Sequence, residues 1–175
     1  MVLIVVSKIA NAETKYTAKF AVVDIESVLE NSLAINSIKK SINALSQNIQ
    51  TDISQQEKDL RIREQELLEL KKTLTEEKFE VLVTKFNKNV KNTKRSMQSR
   101  KSALEQAHLQ AIEEVNKKIM FIIGEIAKEH GIDVVLPSSQ VLYVTNELNL
   151  TFEVISKLND SLKEVQINYK KFLKR

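Results

Sequence analysis

NSIKKSINALSQNIQTDISQQEKDLRIREQELLELKKTLTEEKFE, residues 36–80, contains no glycine, proline or cysteine. At about 100° per residue, Ile35, Ile38, Ile42, Leu45, Ile49, Ile53, Leu60, Leu67, Leu70 and Leu74 fall in one stripe about 100° wide. A stripe of that width on so long a helix is a coiled-coil seam. The chain then reverses: Thr75 is placed to cap a new helix, with Glu76 and Glu77 where the positive helix end favours acids. A second stripe, about 120° wide at the same rotation per residue, follows through Phe79, Leu82, Val83, Phe86, Val90, Met97, Leu104, Ile112, Val115, Ile119, Ile122 and Ile126. It stops at Gly131, preceded by Lys128 and His130, the usual close of a helix. The spacing predicts two helices of similar length, about 48 residues and about 70 Å each. Each seam has only the other as a short-range partner, so the pair is an antiparallel hairpin covering residues 36–111, with its tip near 75. Facing residues then have numbers that sum to about 150.

Composition agrees with long helices. Of 175 residues, 42% are hydrophobic and 29% charged, but only two are glycine and one is proline. An all-β fold or an array of βαβ units has too few turn-formers here. Aromatics at 5% fill no ordinary compact core, so the shape is elongated. Without cysteine there is no disulfide and no thiolate chemistry.

Short β-branched runs flank the hairpin. KFAVVDI, residues 19–25, reads as a buried strand, and so do residues 132–136, stopped by Pro137, and residues 141–145, with Ser138 and Ser139 between them as a hairpin turn. The hairpin returns its ends to one place, where these strands can pair in a small body formed by residues 18–35 and 112–160. A further helix is expected from Thr151, capped by that side chain. Its apolar positions Ile155, Leu158, Leu162, Val165, Tyr169 and Phe172 are spaced by three and four, so it should continue as a basic helical extension over residues 161–175.

Mid-arm, Gln56 and Arg63 interrupt one seam, and Lys94 and Lys101 edge the other, which loosens packing there. Near the base Ile119, Met120, Phe121, Ile122 and Ile123 are apolar around the whole helix. One short sheet and one arm should not cover them, so other copies of the chain are expected to.

Net charge is +4, yet Lys85, Lys88, Lys91, Lys94, Arg95, Arg100 and Lys101 bring +7 with no intervening acid. Lys85, Lys88, Lys91 and Arg95 lie opposite the apolar stripe, on a face able to attract anionic lipid, lipopolysaccharide, nucleic acid or acidic client segments. Alternatively it is a solvated face balanced by Glu57, Asp59, Glu64 and Glu66 of the first helix. Phe79 and Phe86 belong to the seam, so base-stacking platforms are missing and nucleic acid is disfavoured. Catalysis has little support. His108 and His130 have no partners at ligand spacing, and no glycine-rich phosphate loop exists; no catalytic, cofactor or metal site is assigned. Residues 1–12 pair an apolar run, Val2 to Val6, with Ala10-Asn11-Ala12, a small-x-small cleavage motif. They read as an export signal cut after Ala12, short of a basic lead that a misplaced start codon would account for.

From about residue 19 to residue 160, KFAVVDIESVLENS, the charged hairpin, GIDVVLPSSQVLYV and NLTFEVISKLND together resemble the Skp/OmpH family of periplasmic chaperones for outer-membrane proteins. The resemblance implies a predominantly α, α+β fold: a jellyfish-like homotrimer whose helical tentacles rise from a β body and enclose an unfolded client, without ATP or chemistry. It implies body roles for Phe20, Val22, Val134, Leu136, Leu142 and Val144, joined in the oligomer by Ile119, Phe121, Ile122 and Ile123, and anionic lipid or client contact by residues 85–101. The expected function is an ATP-independent periplasmic holdase that keeps unfolded strand edges from pairing. A cytoplasmic structural or nucleic-acid-binding coiled coil is the alternative. A prefoldin-like chaperone is disfavoured by chain order, since its strands lie between the arm helices and these flank them.

Overall fold

A computed structural model describes residues 17–173; the expected signal segment and its cleavage site at Ala12 lie outside the described residues. The elements run β1 (Phe20–Val23), α1 (Ile25–Glu30), α2 (Leu33–Leu70), α3 (Glu76–His130), β2 (Val134–Pro137) and α4 (Thr151–Ser161), with single 3-10 turns at Ser138–Gln140, Asn146–Leu148 and Tyr169–Phe172. The architecture is a long antiparallel helical hairpin on a small body with a two-stranded sheet.

Local chemistry explains the breaks. Asp24 Oδ1 accepts from Ser27 N–H and starts α1, and Ser32 Oγ accepts from Ile35 N–H and starts α2. Asn159 bridges the gap: its Oδ1 accepts from Leu33 N–H at 2.8 Å, and its Nδ2 donates to the Asn31 carbonyl at 3.2 Å. At the far end α2 closes in a tight turn, and Thr75 precedes α3 in extended conformation without a side-chain cap bond. Gly131 takes φ 64°, and Ile132 N–H reaches back to the Ala127 carbonyl at 2.8 Å. That left-handed position favours glycine.

The strands pair in parallel, Phe20 with Val134 through Val23 with Pro137, so the whole hairpin is the connection between them. Several expectations need correction here. Residues 141–145 are not a strand, and Ser138–Gln140 is a 3-10 turn rather than a hairpin. The other edge of β1 is already taken by Asn149 and Leu150, whose N–H donates to the Val22 carbonyl at 2.9 Å. Thr151 does not cap α4: its hydroxyl is buried and accepts from Asp24 N–H, while Asn149 Oδ1 accepts from Thr151 N–H. The arm helices are also unequal, 38 and 55 residues, because α1 breaks away from the start of the first.

The expected helical extension is likewise absent among the described residues after Ser161. Asn159, Asp160 and Ser161 are poor helix formers, and Ser161 Oγ donates to the Lys157 carbonyl at 2.7 Å. The chain then leaves the helix and buries Val165 in the core, with Val165 N–H donating to Ser37 Oγ. Tertiary burial overrides the three-four spacing.

The core lies at the base. Val115, Ile119, Ile122, Ile123 and Ile126 of α3 pack with Val28, Ile35, Ile38, Val154 and Leu158. Ile119, Ile122 and Ile123 are thus covered by their own chain, contrary to the expectation that other copies are needed; Met120 and Phe121 remain 65% and 60% exposed. Along the arm, burial ends at Ile53 and Ala103, and residues 54–102 are half-buried or exposed. Arg100 and Asp52 pair across the arm at 2.9 Å, matching the sum of about 150 for facing residues.

Two predictions follow from this gradient. Amides in residues 54–100 exchange faster than those in residues 111–126, because local opening there breaks no buried contact; slower exchange at mid-arm contradicts it. In urea, Leu158→Ala, at a fully buried site, costs about 2–5 kcal/mol, while Leu68→Ala, at an exposed one, stays within about 0.5 kcal/mol.

Candidate functional site

The described residues hold no group of three or more His, Cys, Asp or Glu placed to bind a metal, and no helix long and apolar enough to cross a membrane. What the fold presents instead is surface. On α3, Lys85, Lys88, Lys91, Lys94, Arg95 and Lys101 are exposed, while Arg100 is half-buried and paired with Asp52. None of those six exposed cations makes an ion pair among the described residues. Glu57, Glu64 and Glu66 do not reach them, and the Asp59 carboxylate accepts from Gln55 Nε2 on its own helix. The basic face is therefore not neutralised at contact distance, and unpaired like charges project a positive potential along the arm.

A second feature escaped the sequence reading. Ile62, Leu68 and Val81 are more than half exposed near the tip, and Leu70, assigned to the seam, is 41% exposed. Ile62, Leu68 and Val81 fall outside both stripes, and apolar residues on the solvent face of an amphipathic helix are the signal that would have found them. At the tip Leu74 of the turn and Val81 and Leu82 of α3 line a shallow apolar depression.

The ten residues expected in the oligomer body divide. Val22, Ile119, Ile122 and Ile123 are inside this chain's own core, and Leu136 and Val144 are half-buried. Phe20, Phe121, Val134 and Leu142 are exposed, Leu142 completely, alongside Tyr143, Leu148 and Phe152 of the same body. Mid-arm, Tyr169 lies against α3, where burial raises its phenol above the ordinary value and the nearby charges of Arg100 and Asp52 act in opposite senses.

These features, an arm with open depressions and a body with bare apolar residues, sit within a recognisable sequence pattern. The model of a family described as outer membrane protein (OmpH-like) matches residues 19–158. The chain belongs to the OmpH family. Its fold is similar to that of an outer membrane chaperone (OmpH-like) from Caulobacter crescentus CB15, with a TM-score of 0.77 at 14% identity over 86% of this chain and 89% of that one. No curated protein matches this OmpH-like chain by sequence.

One electrostatic clamp holds the base of its arm to α4. Lys157 pairs with Glu129 and lies 3.6 Å from Glu153, whose other oxygen is 3.2 Å from His130 Nε2. The hydrogen bond from Lys157, then its charge, hold the Glu129 carboxyl below its ordinary 4.5, and the bond to Glu129 raises Lys157 above 10.5. A depressed carboxyl stabilises the fold above its unfolded pKa, and that stabilisation is lost as pH falls through the folded one. The raised lysine contributes below its unfolded pKa and loses that contribution only as pH climbs through its folded value. Between about pH 5 and about pH 3, the urea midpoint of Glu129→Gln should therefore fall less than that of the unsubstituted chain. Equal falls contradict the clamp.

Proposed function

We propose that this OmpH-like chain is an ATP-independent holdase of the periplasm, which binds unfolded outer-membrane proteins between helical arms and keeps them from aggregating. The observation that carries the proposal is the family match over the whole hairpin and body. The name of the Caulobacter crescentus relative points the same way. Physically, an arm with open, shallow depressions, scattered exposed apolar residues and an unneutralised cationic face suits clients without fixed shape. Many weak contacts on several arms add through effective concentration rather than through one tight site.

In this reading three copies join at the body. Phe20, Val134 and Leu142, with Phe121, are among the apolar groups left bare on it, and their burial between copies would remove exposed hydrophobic surface from the base. Export would remove residues 1–12 by cleavage after Ala12. Residues 85–101 would meet anionic lipid, lipopolysaccharide or acidic client segments. The cytoplasmic nucleic-acid-binding alternative is not favoured by the family match.

The test is light scattering by an unfolded β-barrel protein diluted from urea. The chain at trimer stoichiometry should suppress the scattering, and Leu142→Asp, at a site whose charge costs nothing in the isolated chain, should lower both sedimentation mass and suppression. No suppression by the unsubstituted chain overturns the holdase reading. An unchanged sedimentation mass for Leu142→Asp overturns the placing of the shared body at Leu142, and suppression that survives in a dissociated chain overturns the need for several arms.

A further inference from the structure

The family match ends at residue 158, but the chain goes on and turns back along its own arm. After Leu162, at φ −145° and ψ 89°, residues 163–168 form no helix. Val165 lies at the level of Ser37, Tyr169 beside Arg100 and Asp52, and Lys171 Nζ donates to Gln110 Oε1 at 3.3 Å. Phe172 and Leu173 share a cleft with Arg95, Ser99 and Gln106 of α3.

Burial alternates along this strap: Val165 is buried, Ile167 and Tyr169 are half-buried, and Gln166, Asn168 and Lys170 are exposed. Over residues 163–168 that is the period of a half-buried extended segment, which Tyr169–Phe172 ends in a 3-10 turn. It is also the pattern of a transmembrane β-strand, in which apolar residues alternate with polar ones. Between Ser99 and Gln110, the levels of α3 that the end of the strap touches, Ala103 and Ala107 are buried. Their short side chains let a neighbouring backbone come close.

The strap is held mainly by apolar packing, of Leu162, Val165 and Ile167 on the core and of Tyr169–Phe172 on α3, with few directional bonds. Beyond residue 162 only the Val165 and Lys171 hydrogen bonds tie it to the arm among the described residues, and it joins no sheet. Ser99 Oγ, in the cleft under Phe172 and Leu173, is buried without a hydrogen-bond partner. A different extended backbone could satisfy that hydroxyl.

We propose that residues 162–173 are an internal stand-in for client: they occupy a groove on α3 that accepts extended segments with alternating apolar residues, and a client segment displaces them. The inference rests on the holdase reading for the identity of the client. Being tethered, the strap competes at high effective concentration, so it lowers apparent client affinity by the fraction of chains in which the groove is free.

The test uses the full chain, unsubstituted and as Tyr169→Ala/Phe172→Ala, with Phe172→Asp as a milder second variant, each checked for helicity by circular dichroism. The probe is a fluorescein-labelled peptide of residues 162–173, LKEVQINYKKFL, followed by anisotropy, beside a peptide of the same composition with the alternation broken. The variants should bind the native-order peptide at least tenfold more tightly than the unsubstituted chain, bind the reordered one weakly, and release the first to an unfolded barrel protein. Equal peptide affinity for all chains overturns the proposal, as does equal affinity for both peptides. A barrel protein that co-sediments with the variant without displacing the peptide overturns it while leaving the holdase reading intact. A barrel protein that binds none of the chains overturns the holdase reading and the client identity, while tighter peptide binding by the variants still upholds the groove.

Discussion

The apolar side of the last third of α3, from Val115 to Ile126, holds the molecule together. It is the one surface against which α1, the first turns of α2, α4 and Val165 all pack. Each fully buried aliphatic side chain there contributes about 1.5–3 kcal/mol, and the capping bonds of Asp24, Ser32 and Asn159 set the angles at which the pieces meet it. Helices of about 57 and 82 Å are thus anchored at one end only. Beyond Ile53 and Ala103 their contact is a shallow seam, tied across by the Arg100–Asp52 pair.

That one-sided anchoring separates two tasks. The body fixes where the arms start, and the arms are left with surface rather than cavity: cations without partners at mid-arm and bare apolar residues near the tip. A rigid pocket would select one ligand shape. A weakly zipped arm with mixed apolar and cationic surface suits many extended ligands, each contact weak, which is what the proposed holding of unfolded chains requires. The strap over residues 162–173 adds a graded element, since it covers part of α3 with few fixed bonds.

Much of the fold is legible because it rests on local and periodic signals. The seam residues from Ile35 to Ile53, the reversal at Thr75 and the stop at Gly131 follow from local signals, and the structure has all three, although Thr75 starts α3 without a side-chain cap bond. Elements that depend on tertiary choice were less readable. Residues 141–145 have strand composition, but only the structure reveals that Asn149 and Leu150 already occupy the β1 edge. The sequence 162–173 supports both a three-four and a two-residue apolar period, and the burial of Val165 decides between them. The residues around Ile119 are apolar on every side, yet α1, the start of α2 and α4 pack on them, leaving Met120 and Phe121 bare. The lysine run was visible at once, but its lack of partners depends on where the facing acids point.

The central claim is that several arms on a shared body hold one unfolded client. Native mass spectrometry of the chain mixed with an unfolded β-barrel protein tests it most directly. The account predicts one dominant complex of three 20.0 kDa chains, less any cleaved signal, with a single client. A client carried by one chain alone, or three chains that assemble only as arms without a common body, would contradict it.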